Sequence, residues 1–239
     1  MAAIVPVFNE EVSVAEVLSV LRASARPEEI LVVSDGSTDR TIDIVRVCGV
    51  KAIHLKQNHG KGLAMALGVA HTHAPVLLFV DGDVLNLSST LLAQLMDPVL
   101  GGRVAMNVGI RNRGWLLNSI HRRIGPLLSG LRCMRREVFE AVPEQFLQGY
   151  QIETALNWSC RRLGLPLGTT VLCGIKHRSK ERKYGFRIGL RCRLAMFLSV
   201  FRAFLRLKAR RPRFGHSESL ERADLELEYI NFQHLSDGS

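Results

Sequence analysis

Four short apolar runs, each stopping abruptly at a cluster of polar residues, constrain this chain more than any other feature. They are Ala3–Phe8, Ile30–Ser34, Ala52–Leu55 and Val76–Val80. Unbroken Val, Ile, Leu and Phe over so few residues suits strands that are buried on both faces. The segments between them have helical spacing. Val12–Ala23 sets Val14, Val17, Leu18 and Leu21 on one face, and Ile42, Ile44 and Val45 point inward from a second helix. A third helix runs through Leu63, Leu67 and Ala70. Strands and helices in alternation, joined by short loops, predict a parallel α/β sheet with right-handed crossovers. A fifth strand is expected over Val104–Gly109 and another over Thr170–Cys173.

In such a sheet ligands bind beyond the carboxyl ends of the strands. Here four strand ends lead into Asn9-Glu10-Glu11, Asp35-Gly36-Ser37-Thr38-Asp39, Asn58 to Gly62, and Asp81-Gly82-Asp83. Alone, each is also an ordinary turn or helix cap. Together they place carboxylates, amides and glycines on one sheet edge. Asp81 and Asp83, two apart, share a side in extended geometry. Like charges so close call for a cation between them, and oxygen ligands favour Mg²⁺ or Mn²⁺. Gly60-Lys61-Gly62 before a helix offers backbone N–H groups, a positive helix end and an ammonium, which suits a phosphate. Neither the Walker nor the Rossmann glycine pattern is present, so a nucleotide site here is of another kind.

Charge is unevenly placed. The chain carries a formal +10 over 239 residues, but Lys176–Arg213 alone holds 14 basic residues and one acid, Glu181. A local basic segment fits a specific anionic surface or substrate, not nucleic-acid coating, and aromatic platforms for stacked bases are scarce there. The five scattered cysteines form no CxxC pair and are expected as free thiols in a reducing compartment. No signal peptide is visible, so a cytoplasmic location is expected, with the inner face of the membrane as one option.

In order and spacing, VPVFNEE, SDGSTDRT, NHGKGLAMALG and FVDGDV resemble the nucleotide-sugar half of a family 2 glycosyltransferase with the GT-A fold, whose Rossmann-like sheet is mostly parallel with flanking helices. PLLSGLRCMRREVFEAVP, GYQIETALN and GIKHRSKERKYGF are similar to the acceptor half of the glucosyl-3-phosphoglycerate synthase type and its bacterial relatives. The resemblance implies residues 1–185 as the transferase domain, with 1–100 for the donor and 101–185 for the acceptor. Pro6, Phe8, Asn9 and Glu10 or Glu11 would hold the nucleoside, and Asp35 would accept from the base. Gly60, Lys61 and Gly62 would lie near base, ribose and phosphates. Asp81 would lie near the ribose or donor sugar, and Asp83 would bind the metal, with His177 as a further ligand. Gly130, Leu131 and Arg132 would hold acceptor or sugar hydroxyls. Glu153 would stand beside acceptor or donor sugar, as base or as sugar ligand, so that Asp81 and Glu153 carry the catalytic assignment. The middle Gly82 departs from relatives, which often carry Ala or Ser there.

Structural alternatives stand beside several of these. Glu153 opens a helix, where the dipole alone favours a carboxylate. Arg132, Arg135 and Arg136 could decorate a helix start. Arg111 and Arg113 follow the fifth strand and could face a phosphorylated acceptor or solvent. Phe186–Lys208 reads as a basic amphipathic helix within 186–211, suited to a membrane surface, a homodimer or the domain's own core. The acidic tail, 212–239, holds at most one short element around Leu225, Leu227, Tyr229 and Phe232. The function expected is metal-dependent transfer of a sugar from a nucleoside-diphosphate sugar to an acceptor of unknown identity, phosphorylated or lipid-linked among the options. Inverting and retaining outcomes are both open. A sugar nucleotidyltransferase and a non-catalytic, membrane-associated scaffold on the same fold are the competing readings.

Overall fold

Hydrophobic strands that must bury both faces dictate a sheet between two helical layers, and the computed structural model has that architecture. It describes residues 1–112, 129–147, 151–177 and 225–232. Strands β1 (Ala2–Val7), β2 (Glu29–Asp35), β3 (Lys51–Leu55) and β4 (Val76–Phe79) alternate with helices α1 (Val14–Ala23), α2 (Thr41–Val47) and α3 (Lys61–Ala70). A short β5 (Val84–Leu85), α4 (Ser89–Leu100) and β6 (Met106–Arg111) follow. Then come β7 (Arg132–Arg135), α5 (Arg136–Glu140), α6 (Ile152–Arg162), β8 (Leu167–Leu172), β9 (Lys176–His177) and β10 (Leu227–Ile230).

Eight strands form one sheet in the order β10-β3-β2-β1-β4-β7-β6-β8. Pairing is parallel from β3 through β2 and β1 to β4, and between β6 and β8. β7 runs antiparallel to both its neighbours, and β10 runs antiparallel to β3. The strand order reverses at β1 and β4, where doubly wound sheets open a ligand crevice. Because β7 is reversed, its beginning, not its end, meets the end of β4: Arg132 pairs with Phe79.

Successive side chains on each strand feed opposite layers, as the pleat requires. Ile4, Leu77 and Phe79 pack with α3, α5 and α6, whereas Ala3, Val5, Leu78 and Val80 pack with α1, α2 and α4. Arg136 is no surface decoration. Its guanidinium donates to the carbonyls of Ala74 and Thr72 at 2.9 and 2.5 Å, holding the end of α3 against the start of α5.

No element is expected above over residues 86–103, yet α4 lies there. Ser88 caps it by accepting the Leu91 N–H at 3.3 Å, and Leu92, Leu95, Met96 and Val99 form its buried stripe. The expected helix Phe186–Lys208 lies outside the described residues. Among the described residues no helix is long and apolar enough to cross a membrane.

β4 is the central strand, and Phe79 is 1% exposed and stacks on Phe139 of α5 at 5.5 Å between ring centroids. Phe79→Ala is expected to cost about 3–5 kcal/mol, by lost burial and an unfilled cavity. Urea denaturation measures this, and a loss below about 1 kcal/mol contradicts the central placement of the strand.

Candidate active site

The loops at the carboxyl ends of the strands are stitched to one another before any ligand arrives. The Asn9 N–H donates to Ser37 Oγ at 3.0 Å, and the Thr38 N–H returns a bond to Asn9 Oδ1 at 2.8 Å. The Glu10 N–H donates to Thr41 Oγ1 at 2.8 Å. Asn9 has φ of 55°, a left-handed conformation that asparagine tolerates better than most residues. Pro6 is buried within β1, and Phe8 and Asn9 are partly exposed at its end. The loops after β1 and β2 therefore form one floor.

Asp35 ends β2 and is buried. Its carboxylate accepts the His59 N–H at 2.7 Å and the Gly60 N–H at 2.8 Å. Burial raises its pKa above the ordinary carboxylate value, while those two bonds and the His59 charge oppose the rise. In this arrangement Asp35 organises the loop after β3 and sets the start of α3. Resemblance alone does not disclose that task.

That loop delivers Lys61, the first residue of α3. Its ammonium lies 2.7 Å from Asp81 Oδ1 and 2.8 Å from Glu153 Oε1. Asp81 comes from the end of β4, and Glu153 from the first turn of α6. Only 20% of the lysine side chain is exposed, against 21% and 14% for its partners. Burial by itself would lower the lysine pKa. The charges of Asp81 and Glu153, reinforced by their hydrogen bonds, outweigh it and raise the pKa above the usual value. Lys61 is thus a cation clamped between Asp81 and Glu153, the two carboxylates that the resemblance implies for catalysis.

Beneath this triad lies a second cation. Arg132 is fully buried. Its Nε and Nη2 donate to the Ser129 carbonyl at 3.0 and 2.7 Å, and Nη1 donates to the Glu153 carbonyl and Asn157 Oδ1, both at 3.4 Å. Burial lowers its pKa, and Glu153 and Asp81 pull it back up. Arg132 ties the segment before β7 to the start of α6, which is neither solvent decoration nor an open contact surface. Leu131 buries its side chain in the core, and its carbonyl accepts the Gly109 N–H at 2.9 Å.

Gly130 stands directly against Asp81. A Cβ there would come within 1.9 Å of the carboxylate, so any side chain would push Asp81 from Lys61. Gly82 is fitted in the same way: a Cβ would meet Val7 Cγ1 at 2.6 Å and Glu10 Cγ at 3.4 Å. Ser13, just before α1, donates its hydroxyl to the Gly82 carbonyl at 2.7 Å. Close packing around Gly82 accounts for the glycine at the centre of Asp81-Gly82-Asp83 in this chain.

Asp83 is partly exposed and enters β5. β5 pairs antiparallel with β9, and Val84 is opposite His177. The backbone therefore brings the His177 position beside the residue that follows Asp83. Arg111 is exposed at the end of β6, and Arg113 lies outside the described residues. Cys133 and Cys160 are buried, and burial pushes their thiols up to about 12 and about 11, which leaves them poor nucleophiles at neutral pH.

The model of the family described as glycosyl transferase family 2 matches residues 2–153. Glycosyltransferase AglJ of Haloferax volcanii is 30% identical over 189 residues, covering 70% of this chain and 59% of its own. Undecaprenyl-phosphate 4-deoxy-4-formamido-L-arabinose transferase of Pseudomonas paraeruginosa is 25% identical over 166 residues, covering 62% of this chain and 49% of its own. Dodecaprenyl-phosphate galacturonate synthase of Rhizobium johnstonii is 26% identical over 245 residues, covering 92% and 71%. The chain thus spans about half to three fifths of the first two of these relatives. Among solved structures, glucosyl-3-phosphoglycerate synthase from Mycobacterium tuberculosis, in complex with Mn²⁺, UDP and glucosyl-3-phosphoglycerate, superposes with a TM-score of 0.71 at 24% identity, over 86% of this chain and 78% of that one. That likeness confirms the expected GT-A fold.

Lys61→Met leaves two largely buried carboxylates without their shared cation. Losing one partner of a buried pair costs about 3–5 kcal/mol, and partial exposure places this site at the low end, about 3 kcal/mol. Because the folded-state pKa of Lys61 is raised, this stabilisation is fully present below 10.5, its unfolded value, and fades as pH rises through the folded value. Urea melts of wild type and variant at pH 7 test this. Equal midpoints contradict the ion-pair assignment.

Proposed function

The chain belongs to glycosyl transferase family 2, and from that premise we propose that it transfers a sugar from a nucleoside-diphosphate sugar to a phosphorylated acceptor, with a divalent cation at the end of β4. The observation that carries the reading is the convergence of Asp81, Lys61 and Glu153 at the point where the strand order reverses. These side chains come from three separate elements and meet beyond the carboxyl ends of the strands. Such convergence suits a ligand site better than a turn. It also favours an active enzyme over a degenerate scaffold, and the family assignment favours glycosyl transfer over nucleotidyl transfer.

In this reading the floor formed by Asn9, Ser37 and Asp35 receives the nucleoside, with Pro6, Phe8 and Glu10 beside it. The positive start of α3, with Gly60 and Lys61, faces the diphosphate side. Asp83 is a hard oxygen donor at a turn, and β9 brings the His177 position to its flank. Mg²⁺ and Mn²⁺ take one or two carboxylates plus phosphate oxygens, so Asp83 fits such a cation. Once bound, the cation supplies Lewis-acid stabilisation of the departing diphosphate. The UDP and Mn²⁺ or Mg²⁺ named with the mycobacterial structures support the same assignment.

Glu153 and Asp81 then face the sugar from two sides, with their charge held by Lys61. Gly130 lets the acceptor loop approach Asp81 closely, and Arg132 fixes that loop to the helix bearing Glu153. The acceptor is assigned as a phosphate-bearing molecule because the relatives include undecaprenyl-phosphate and dodecaprenyl-phosphate enzymes, and a neighbouring structure holds phosphoglyceric acid. An inner-face membrane location would suit a lipid-linked acceptor.

Thermal shift with a panel of nucleoside-diphosphate sugars and Mn²⁺ tests the reading. A nucleotide at a hundred times its Kd should stabilise the protein by about 2.7 kcal/mol. Asp83→Ala is expected to abolish the Mn²⁺-dependent part of that shift and the sugar transfer. Unchanged Mn²⁺-dependent nucleotide binding in this variant rules out the metal assignment.

A further inference from the structure

Residues 225–232 are not a loose tail. β10 adds to the outer edge of β3 over Leu227–Ile230, and its direction brings Leu227 opposite Leu55, at the same sheet edge as the site. Just before it, the Glu226 carbonyl accepts the Lys56 N–H at 3.2 Å, and the Glu226 carboxylate meets the Lys56 ammonium at 2.8 Å. Lys56 opens the loop whose His59 and Gly60 N–H groups bind Asp35 and whose end starts α3.

The same segment grips the far ends of the neighbouring elements. Asn231, at φ of 57°, donates its side-chain amide to the Val50 and Arg46 carbonyls at 3.0 and 3.3 Å, where α2 turns into β3. Glu228 pairs with Arg46 at 3.1 Å. Tyr229 and Phe232 pack on His71 at the end of α3, with ring centroids 5.6 and 6.4 Å away. Ile230 is 4% exposed and lies in the core beside α1, α2 and α4. One eight-residue segment, 225–232, thus touches both ends of the β3–α3 unit that supplies the donor loop and Lys61.

We propose that residues 225–232 form a strap that positions the donor loop, so that strap docking and nucleotide binding are thermodynamically coupled. The proposal rests on the donor-site reading for its ligand, but not for its structural half. β3 would otherwise be the sheet's open edge, with its hydrogen-bonding groups unpaired on that side. A loop hung from an unsupported edge strand opens locally more often, which lowers the population ready to bind. Coupling is reciprocal: a nucleotide seated on the loop must also hold the strap down.

Hydrogen exchange and calorimetry on the full chain test this, with UDP and Mn²⁺ as the probe. Ile230→Asp puts a charge into the core and releases the strap. Asn231→Gly keeps the left-handed backbone accessible while deleting the amide, a milder lesion that leaves the core intact. Both should raise exchange at His59 and Gly60 at least tenfold without nucleotide, and both should weaken UDP–Mn²⁺ binding, by about tenfold and threefold respectively. In wild type, UDP–Mn²⁺ should slow exchange across residues 226–230. Unchanged exchange at His59 and Gly60 while residues 226–230 exchange freely overturns the proposal, as does a UDP Kd within twofold of wild type in both variants. The exchange arm decides the strap's role even where UDP does not bind, an outcome that bears on the donor's base and not on the strap.

Discussion

The ammonium of Lys61 between Asp81 and Glu153 is the contact on which the rest of the site depends. Its partners belong to the end of β4 and the start of α6, so one side chain joins the parallel β3-β2-β1-β4 half of the sheet to the helix after β7. Arg132 lies below and contributes a second positive charge, so two cations face two carboxylates in a poorly hydrated place. Such a cluster is costly to break and not stabilising in proportion, because desolvation offsets much of the attraction. Its value is geometric. It fixes where Asp81 and Glu153 stand. Under the proposed function, a divalent ion at Asp83, just beyond the cluster, would add to the positive end of α3 the further charge that a diphosphate needs.

The sheet topology follows from the same requirement. A parallel run β3-β2-β1-β4 delivers four loops to one edge. Only a reversed β7 can bring its beginning to that edge as well, and the reversal sets Gly130 against Asp81. The family match spans residues 2–153 and so runs from the first strand to Glu153, enclosing all three members of the triad.

Much of this was legible in the sequence. The four apolar runs became β1 to β4 with ends shifted by a residue or so, because a strand buried on both faces leaves an unbroken signal. The polar loops after them meet as the topology rule requires. β7 was not legible. Arg-Cys-Met-Arg is only four residues long and begins with an arginine, which belongs on a surface unless several carbonyls surround it. Nor was the triad, since Lys61, Asp81 and Glu153 are far apart in sequence and no local spacing links a lysine to those partners. α4 was missed, although Leu92, Leu95, Met96 and Val99 carry helical spacing and Ser88 offers a cap. The apolar residues of the acidic tail foretold one short element, but its place on the edge of β3 depended on contacts that no periodicity encodes.

Under the proposed function, the edge where Asp81, Lys61 and Glu153 meet holds a nucleoside diphosphate through a metal at Asp83. A crystal soaked with UDP and Mn²⁺, with an anomalous difference map recorded at the manganese edge, tests it directly. One strong peak is expected at about 2.0–2.2 Å from an Asp83 carboxylate oxygen, typical of hard-cation coordination. The diphosphate should lie next to that peak, at the start of α3. Manganese and UDP bound elsewhere, or UDP in place with no manganese at Asp83, would contradict it.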